Sequence, residues 1–325
     1  MKVSAEYFKG KKVLVTGHEG FLGSNLVRRL ISCGAKVIGL DIVSGRKGSV
    51  LSKADRKKII SVRGDVADHR LVTRLIKKHR PRIIFHLAAE ALVDNCFRKP
   101  LKTFSSNIAG TWSLLEAARG EGFVEAVVIA SSDKAYGSHK KLPYMEEAPL
   151  KGDHPYDVSK SCTDLIARTY FRSYGLPVAV TRCGNIYGPG DLNFSRITPE
   201  AVRCAVKGET LMIRSDGKFT RDYIFVEDVI DGYMILARKL KKLGLGGEAF
   251  NFSDENPITV LELVKKIASA AGRKPRFRVL NRARYEIKDQ YLSSKKARKV
   301  LGWRPNHTLK QGLRNTVDWY REALG

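Results

Sequence analysis

Residues 13–24 read VLVTGHEGFLGS. A short apolar run ends in Thr16, and Gly17, Gly20 and Gly23 then lead into a segment, FLGSNLVRRLISCG, with helical apolar spacing. Glycine is needed where a strand turns tightly into a helix and where backbone must approach a pyrophosphate. The start of that helix offers unpaired N–H groups and a positive dipole end to the anion. The spacing therefore predicts a strand–loop–helix cradle for a dinucleotide. Asp41 ends the next apolar segment, KVIGLD, ~20 residues beyond the glycines, where a carboxylate accepts from both hydroxyls of an adenosine ribose. A negative charge there repels a 2′-phosphate, so the pattern favours NAD over NADP. Arg46 and Lys47 close by leave NADP open. Asp65, at the end of the third such segment, is placed either to meet the adenine amino group or to cap a helix starting near Asp68.

The same alternation continues outward. Val- and Ile-rich pieces (IISVRGDV, RIIFHLAA, EAVVIASS, LPVAVTRC) alternate with helix-length segments at Asp68–His79, Leu101–Arg119 and Asp157–Tyr174. In the long segment, Leu101, Phe104, Ile108, Trp112 and Leu115 recur at helical spacing and predict one apolar stripe. Strands alternating with helices predict an α/β fold, a Rossmann-type doubly wound parallel sheet. After GNIYGPGD the rhythm breaks. We expect an NAD-binding domain over 1–184, with segments at about 222–252 returning to it. Residues 185–325 then form mainly a smaller C-terminal α/β lobe for substrate.

Composition narrows the class. The chain has 325 residues and 43% hydrophobic content, enough for a sizeable core. No apolar run approaches the ~20 residues of a membrane span, and the N-terminal run VLV is too short for a signal-peptide core. Five scattered cysteines, never spaced as CxxC, suit reduced thiols in a cytoplasm better than disulfides or zinc. His86 lies inside a buried strand and reads as structural, and no HExxH or carboxylate cluster suggests a metal. The formal net charge is +26. It reads first as a solvated basic surface and second as a funnel for a phosphorylated substrate. A nucleic-acid partner lacks any supporting motif.

The chemistry gathers in two stretches. SSDKAYG, residues 131–137, comes after the fifth strand; YDVSK, residues 156–160, opens the next helix. Tyr156 and Lys160 are four apart and share a helix face. A phenol that gives up its proton near neutral pH needs a neighbouring cation, which Lys160 and a nicotinamide ring can supply. Ser132 can bond the same substrate oxygen. The three make a base that takes a hydroxyl proton while the cofactor takes a hydride from the same carbon.

These motifs, with RDYIFVEDV downstream, resemble the extended short-chain dehydrogenase/reductase superfamily over nearly the whole chain. Within it, TGHEGFLGS, SSDKAYG and RCGNIYGPGDLNFSR are most similar to CDP-glucose 4,6-dehydratases, where Asp and Lys follow the hydroxyl residue as Asp133 and Lys134 follow Ser132. The dTDP-glucose dehydratases carry Asp-Glu there, and AAEALVD and NIYGP echo their motifs. UDP-hexose 4-epimerases usually lack the acid. The resemblance implies an NAD-dependent lyase of nucleotide-sugar metabolism. It oxidises carbon 4 with Tyr156 as base, loses water across carbons 5 and 6 with Asp133 as acid to the departing hydroxyl, and returns the hydride to carbon 6. A dTDP-glucose dehydratase and a UDP-hexose 4-epimerase are the alternatives. A non-catalytic nucleotide-sensing or RNA-associated protein on the same fold would not need Ser132, Asp133, Tyr156 and Lys160 together. Lys134 stands where a dTDP-type enzyme puts its carbon-5 base. The resemblance adds Phe21, Leu22, Val66 and Ala88 to the cofactor set. It places Glu90, Asn185, Arg196 and Arg221 on the substrate, with Arg221 on its diphosphate. It also implies a homodimer built on the helices at 101–119 and 157–174, through Phe104, Trp112, Leu165 and Tyr170.

Overall fold

The computed structural model of the chain describes residues 5–282 and 287–325. Seven strands form one sheet: β1 (Lys12–Thr16), β2 (Lys36–Asp41), β3 (Ile60–Arg63), β4 (Ile83–His86), β5 (Ala126–Ala130), β6 (Val178–Cys183) and β7 (Ala249–Phe252). Every pairing is parallel, in the order β7-β6-β5-β4-β1-β2-β3. Five helices flank it: α1 (Phe21–Ser32), α2 (His69–His79), α3 (Gly110–Arg119), α4 (Pro155–Tyr174) and α5 (Val226–Lys239). Alternate strand residues face opposite sides of a sheet. Val13 and Val15 accordingly join a core with Leu26, Val27 and Leu30 of α1 and with α5, while Leu14 joins the opposite core with α2 and α3. Each such buried aliphatic side chain contributes roughly 1.5–3 kcal/mol.

The order reverses between β1 and β4. In such a sheet ligands bind in the crevice beyond the strands' carboxyl ends at that point. The doubly wound sheet read from the alternation is thus present.

Small sheets make the rest of the carboxyl side. Asn185–Tyr187 pairs in parallel with Tyr223–Phe225. Thr220–Arg221 lies between Ile258–Thr259 and Asp289–Gln290. Leu211–Ile213 pairs with Phe277–Val279. Helices Ile197–Lys207, Val260–Ala270 and Leu309–Leu324 pack around them. Among the described residues no helix is long and apolar enough to cross a membrane.

The long helix differs from its expectation. It runs as Pro100–Phe104, a π turn at Ser105–Ala109, and α3. An i→i+5 turn inserts a residue and rotates the next turns of the helix out of phase. The apolar stripe therefore breaks. Leu115 is buried, Phe104 and Ile108 are half-buried, and Leu101 is 84% exposed.

Candidate active site

The nucleotide half is built at the β1–α1 turn. Gly17 has φ +72°, and a Cβ there would lie 2.8 Å from the Ala88 amide nitrogen. A Cβ on Gly23 would lie 2.0 Å from the Gly17 carbonyl oxygen. Only glycine fits at these two positions. The Thr16 hydroxyl accepts from the Ala88 amide at 3.2 Å and ties β1 to the end of β4. Asp41, buried at the end of β2, accepts from the Glu19 amide (3.0 Å) and the Val43 amide (3.2 Å). Those bonds fix its carboxylate against the glycine loop. Glu19 in turn accepts from the Gly45 and Arg46 amides and from Arg56, clamping the loop after β2. The Arg46 and Lys47 side chains point to solvent.

Asp65 is exposed and accepts from the Ala67 amide at 2.9 Å. The cap of α2 is Asp68, through the Leu71 amide, which corrects the capping reading of Asp65. Val66 is buried against Gly110. Phe21 and Leu22, at the start of α1, are half-buried. His86 is buried between the Thr16 hydroxyl (2.8 Å) and the Thr111 hydroxyl (3.2 Å), and burial pushes it down to about 3, so it stays neutral and structural.

The catalytic half sits where β5 ends. Ser132 caps a 3₁₀ turn, Asp133–Tyr136, by accepting from the Lys134 amide at 3.2 Å. Its hydroxyl donates to Asp133 Oδ1 at 3.0 Å. Asp133 is buried, and its Oδ2 has no hydrogen-bond partner among the described residues. Burial raises its carboxyl above the ordinary range, more than Lys134, Ser132 and Arg221 lower it, which favours the protonated acid. Behind the turn, Tyr136 donates to Asn251, and Arg182 bonds both Tyr136 and the buried carboxylate of Asp164.

Helix α4 presents Tyr156 and Lys160 to this turn. Dense protein around the half-exposed Tyr156 raises its phenol well above the ordinary value, and a hydrogen bond with Ser132 pulls it back. Lys160 is buried and pushed down to about 8 by desolvation. Its ammonium lies 5.9 Å from the Tyr156 ring centroid and donates to the Ala130 carbonyl at 2.7 Å. The expected cation is thus beside the phenol but anchored to the strand, and Ser132 is the neighbour that lowers the phenol.

The candidate substrate residues are held in different ways. The Asn185 amide donates to the Asp222 carbonyl at 3.1 Å. Arg221 is buried with its guanidinium on the carbonyls of Thr220, Ile287 and Lys288. Arg196 donates to Asp191 and to the Ile186 carbonyl, both at 2.7 Å, and so clasps the loop that precedes it. Glu90 is fixed through its backbone: its amide donates to Asn107 Oδ1 at 2.7 Å, and its carbonyl accepts from Asn107 Nδ2 at 3.0 Å.

Three contributors escaped the sequence reading. Asn107, in the π turn, also donates to Ser159 on α4 at 2.9 Å and so joins the loop after β4 to the Tyr156 helix. Gln290 bonds both Asp133 and Lys134. Asp222, adjacent to Arg221, is fully buried with its Oδ1 unpartnered among the described residues. Desolvation and then Asp133 raise it to about 7, against a bond from Ser253. An acid inside TRDYIF was the available signal for Asp222; a polar residue in an apolar helix was the signal for Asn107.

Residues 14–316 match the family model of GDP-mannose 4,6-dehydratase. A UDP-glucose 4-epimerase of Mycolicibacterium smegmatis is 34% identical over 95% of this chain and 98% of its own length. A CDP-glucose 4,6-dehydratase of Salmonella typhimurium is 30% identical over 98% of this chain and 93% of its own. Among solved structures, a dTDP-glucose 4,6-dehydratase of Bacillus anthracis in complex with NAD superposes with a TM-score of 0.86. It is 30% identical and covers 96% of this chain and 97% of its own. Enzymes named for dTDP-glucose recur among the matches more than those named for CDP-glucose. The chain belongs to the GDP-mannose 4,6-dehydratase family, within the extended short-chain dehydrogenase/reductase superfamily.

Proposed function

We propose, from this family membership, that the chain is an NAD-dependent nucleotide-sugar 4,6-dehydratase. CDP-glucose is its preferred substrate and CDP-4-keto-6-deoxyglucose its product. The observation that carries the reading is Asp133: a buried carboxyl with one oxygen unpartnered among the described residues and a raised pKa, at the start of the 3₁₀ turn and beside Tyr156. A 4-epimerase has no leaving hydroxyl to protonate, so it has no use for such an acid.

The glycine cradle fits NAD, with Gly17, Gly20 and Gly23 under the pyrophosphate and Asp41 on the ribose. Phe21, Leu22, Asp65, Val66 and Ala88 line the same crevice. When bound there, NAD would supply the hydride acceptor for carbon 4 and the hydride donor for carbon 6. Tyr156 takes the carbon-4 hydroxyl proton, helped by Ser132 and by the charge of Lys160. The new ketone acidifies the proton on carbon 5. Lys134 either removes that proton and gives it back to carbon 5 when the hydride reaches carbon 6, or stays charged and stabilises the enolate while another base takes and returns the proton. Asp133 gives its proton to the departing carbon-6 hydroxyl. Glu90, Asn185 and Arg196 line the substrate side, and Arg221 meets the diphosphate. The site is a homodimer's, the five free thiols suit a reducing cytoplasm, and the basic surface steers an anionic substrate and not a nucleic acid.

dTDP-glucose is the second candidate, favoured by its frequency among the relatives. The purified chain incubated separately with CDP-, dTDP-, UDP- and GDP-glucose decides. The 4-keto-6-deoxy product is read by its absorbance in strong alkali. We expect product first with CDP-glucose; interconversion of UDP-hexoses without keto product would replace the dehydratase reading by an epimerase.

A further inference from the structure

We propose that Gln290 is a positioning residue for Lys134: it sets where the ammonium stands over the sugar in the elimination step. The inference rests on the dehydratase reading and on the role given there to Lys134.

Gln290 is fully buried and lies 156 residues along the chain from Lys134. Both ends of its amide are used on the catalytic turn. Its Oε1 accepts from Lys134 Nζ, and its Nε2 donates to the Asp133 backbone carbonyl at 3.0 Å. The orientation of the amide is determined, because only the carbonyl end can face an ammonium. A lysine side chain has four rotatable bonds and a compact charge, so a fixed acceptor removes much of its freedom. Gln290 grips the backbone of one reacting residue and the side chain of the next, which fixes Lys134 relative to Asp133. Elimination needs those two groups on neighbouring carbons of one sugar.

The mount is itself clamped. Gln290 ends the strand Asp289–Gln290, which pairs in parallel with Thr220–Arg221. The Arg221 guanidinium holds the carbonyls of Ile287 and Lys288 on the same segment. The proposed diphosphate residue and the acceptor for Lys134 are thus joined by one short stretch of chain.

The test is rapid-mixing kinetics of full-length Gln290→Leu, Gln290→Glu and Lys134→Met, each holding NAD, with the sugar nucleotide that yields product. Reduced-nicotinamide absorbance reports carbon-4 oxidation, and keto product reports elimination. Gln290→Leu removes both bonds at similar volume. Oxidation should stay within about twofold while elimination slows about 10²-fold, the scale of a 1 Å misplacement, and reduced nicotinamide should accumulate. Gln290→Glu keeps the reach but adds a charge beside the ammonium, so the pH profile of elimination should move upward by about one unit. Equal slowing of both steps by Gln290→Leu, or normal elimination and an unshifted profile in both variants, overturns the proposal. If Gln290→Leu does not fold, the pH profile of Gln290→Glu decides alone. If Lys134→Met turns over like wild type, the reading of Lys134 fails; if it stalls while both Gln290 variants behave normally, only the role of Gln290 fails.

Discussion

A phenol held in dense protein is a poor base until a charge is brought to it. Tyr156 is raised by burial and relieved by Ser132, with the Lys160 ammonium over its ring. General-base assistance contributes typically 10²–10⁴-fold. Tyr156→Phe should therefore lose turnover by about that factor. Bound NAD, measured in the purified protein, should be unchanged, because the cradle at Gly17, Gly20 and Gly23 does not involve the phenol. Near-normal turnover would show that the base lies elsewhere. The buried carboxyls make a second case. Asp222 is raised from 3.8 to about 7, and Asp133 is raised beside it. Both are protonated more readily folded than unfolded. Their contribution is present at acid pH and is lost as pH rises from about 4 through about 7. For Asp222 the span from 3.8 to about 7 corresponds to a few kcal/mol, at about 1.4 kcal/mol per pH unit. Thermal melts of wild type should decline from pH 5 to pH 7.5, and Asp222→Asn should flatten that decline by a few degrees. Parallel curves for the two proteins would remove Asp222 from the account.

Elements, not single residues, explain which parts were legible. Glycine spacing, the acid ending β2 and the YxxxK pair are local. Each is contained in one turn or one helix, and the structure places each at the carboxyl edge where the alternation implied. Asp133 and Lys134 were legible for the same reason. The π turn at Ser105–Ala109 was not, because 3.6 periodicity assumes an unbroken ladder. Nor was the Gln290 strand, a two-residue element whose partners come from distant segments. Asn107 shows how much such an element holds. It makes two bonds to the Glu90 backbone and one to Ser159, and it is buried. Asn107→Ala would leave the Glu90 amide and carbonyl without those partners, at a cost of ~1–3 kcal/mol per stranded group. Urea unfolding should therefore show a loss of a few kcal/mol. An unchanged midpoint would mean that water or a shifted backbone replaces the side chain.

At the scale of the molecule, the exposed apolar residues and the net charge pull in opposite directions. Trp112 on α3 is 49% exposed and Leu165 on α4 is 53% exposed, while Leu101 on the helix Pro100–Phe104 and Tyr174 at the end of α4 also stand open. Of the four residues expected at a two-fold interface, Phe104 and Tyr170 are half-buried within the chain, and Tyr170 donates to Glu116 at 3.1 Å. Trp112 and Leu165 therefore carry the prediction. Helices α3 and α4 pack side by side, so a second copy laid across them would complete a four-helix bundle and cover both residues. Two chains of +26 repel each other as they approach. That repulsion is long-range and is screened over about 10 Å at 0.1 M salt. Apolar burial has no such dependence on dilute salt. The dimer should therefore tighten between ~0.02 and ~0.2 M salt, the reverse of an association driven by opposite charges. Light scattering at micromolar concentration should report twice the 36.3 kDa chain at the higher salt. Trp112→Glu with Leu165→Glu should return the chain to monomer mass while leaving the NAD cradle intact. A wild-type monomer at both salt concentrations would sink the interface, and the exposed tryptophan would then need another explanation.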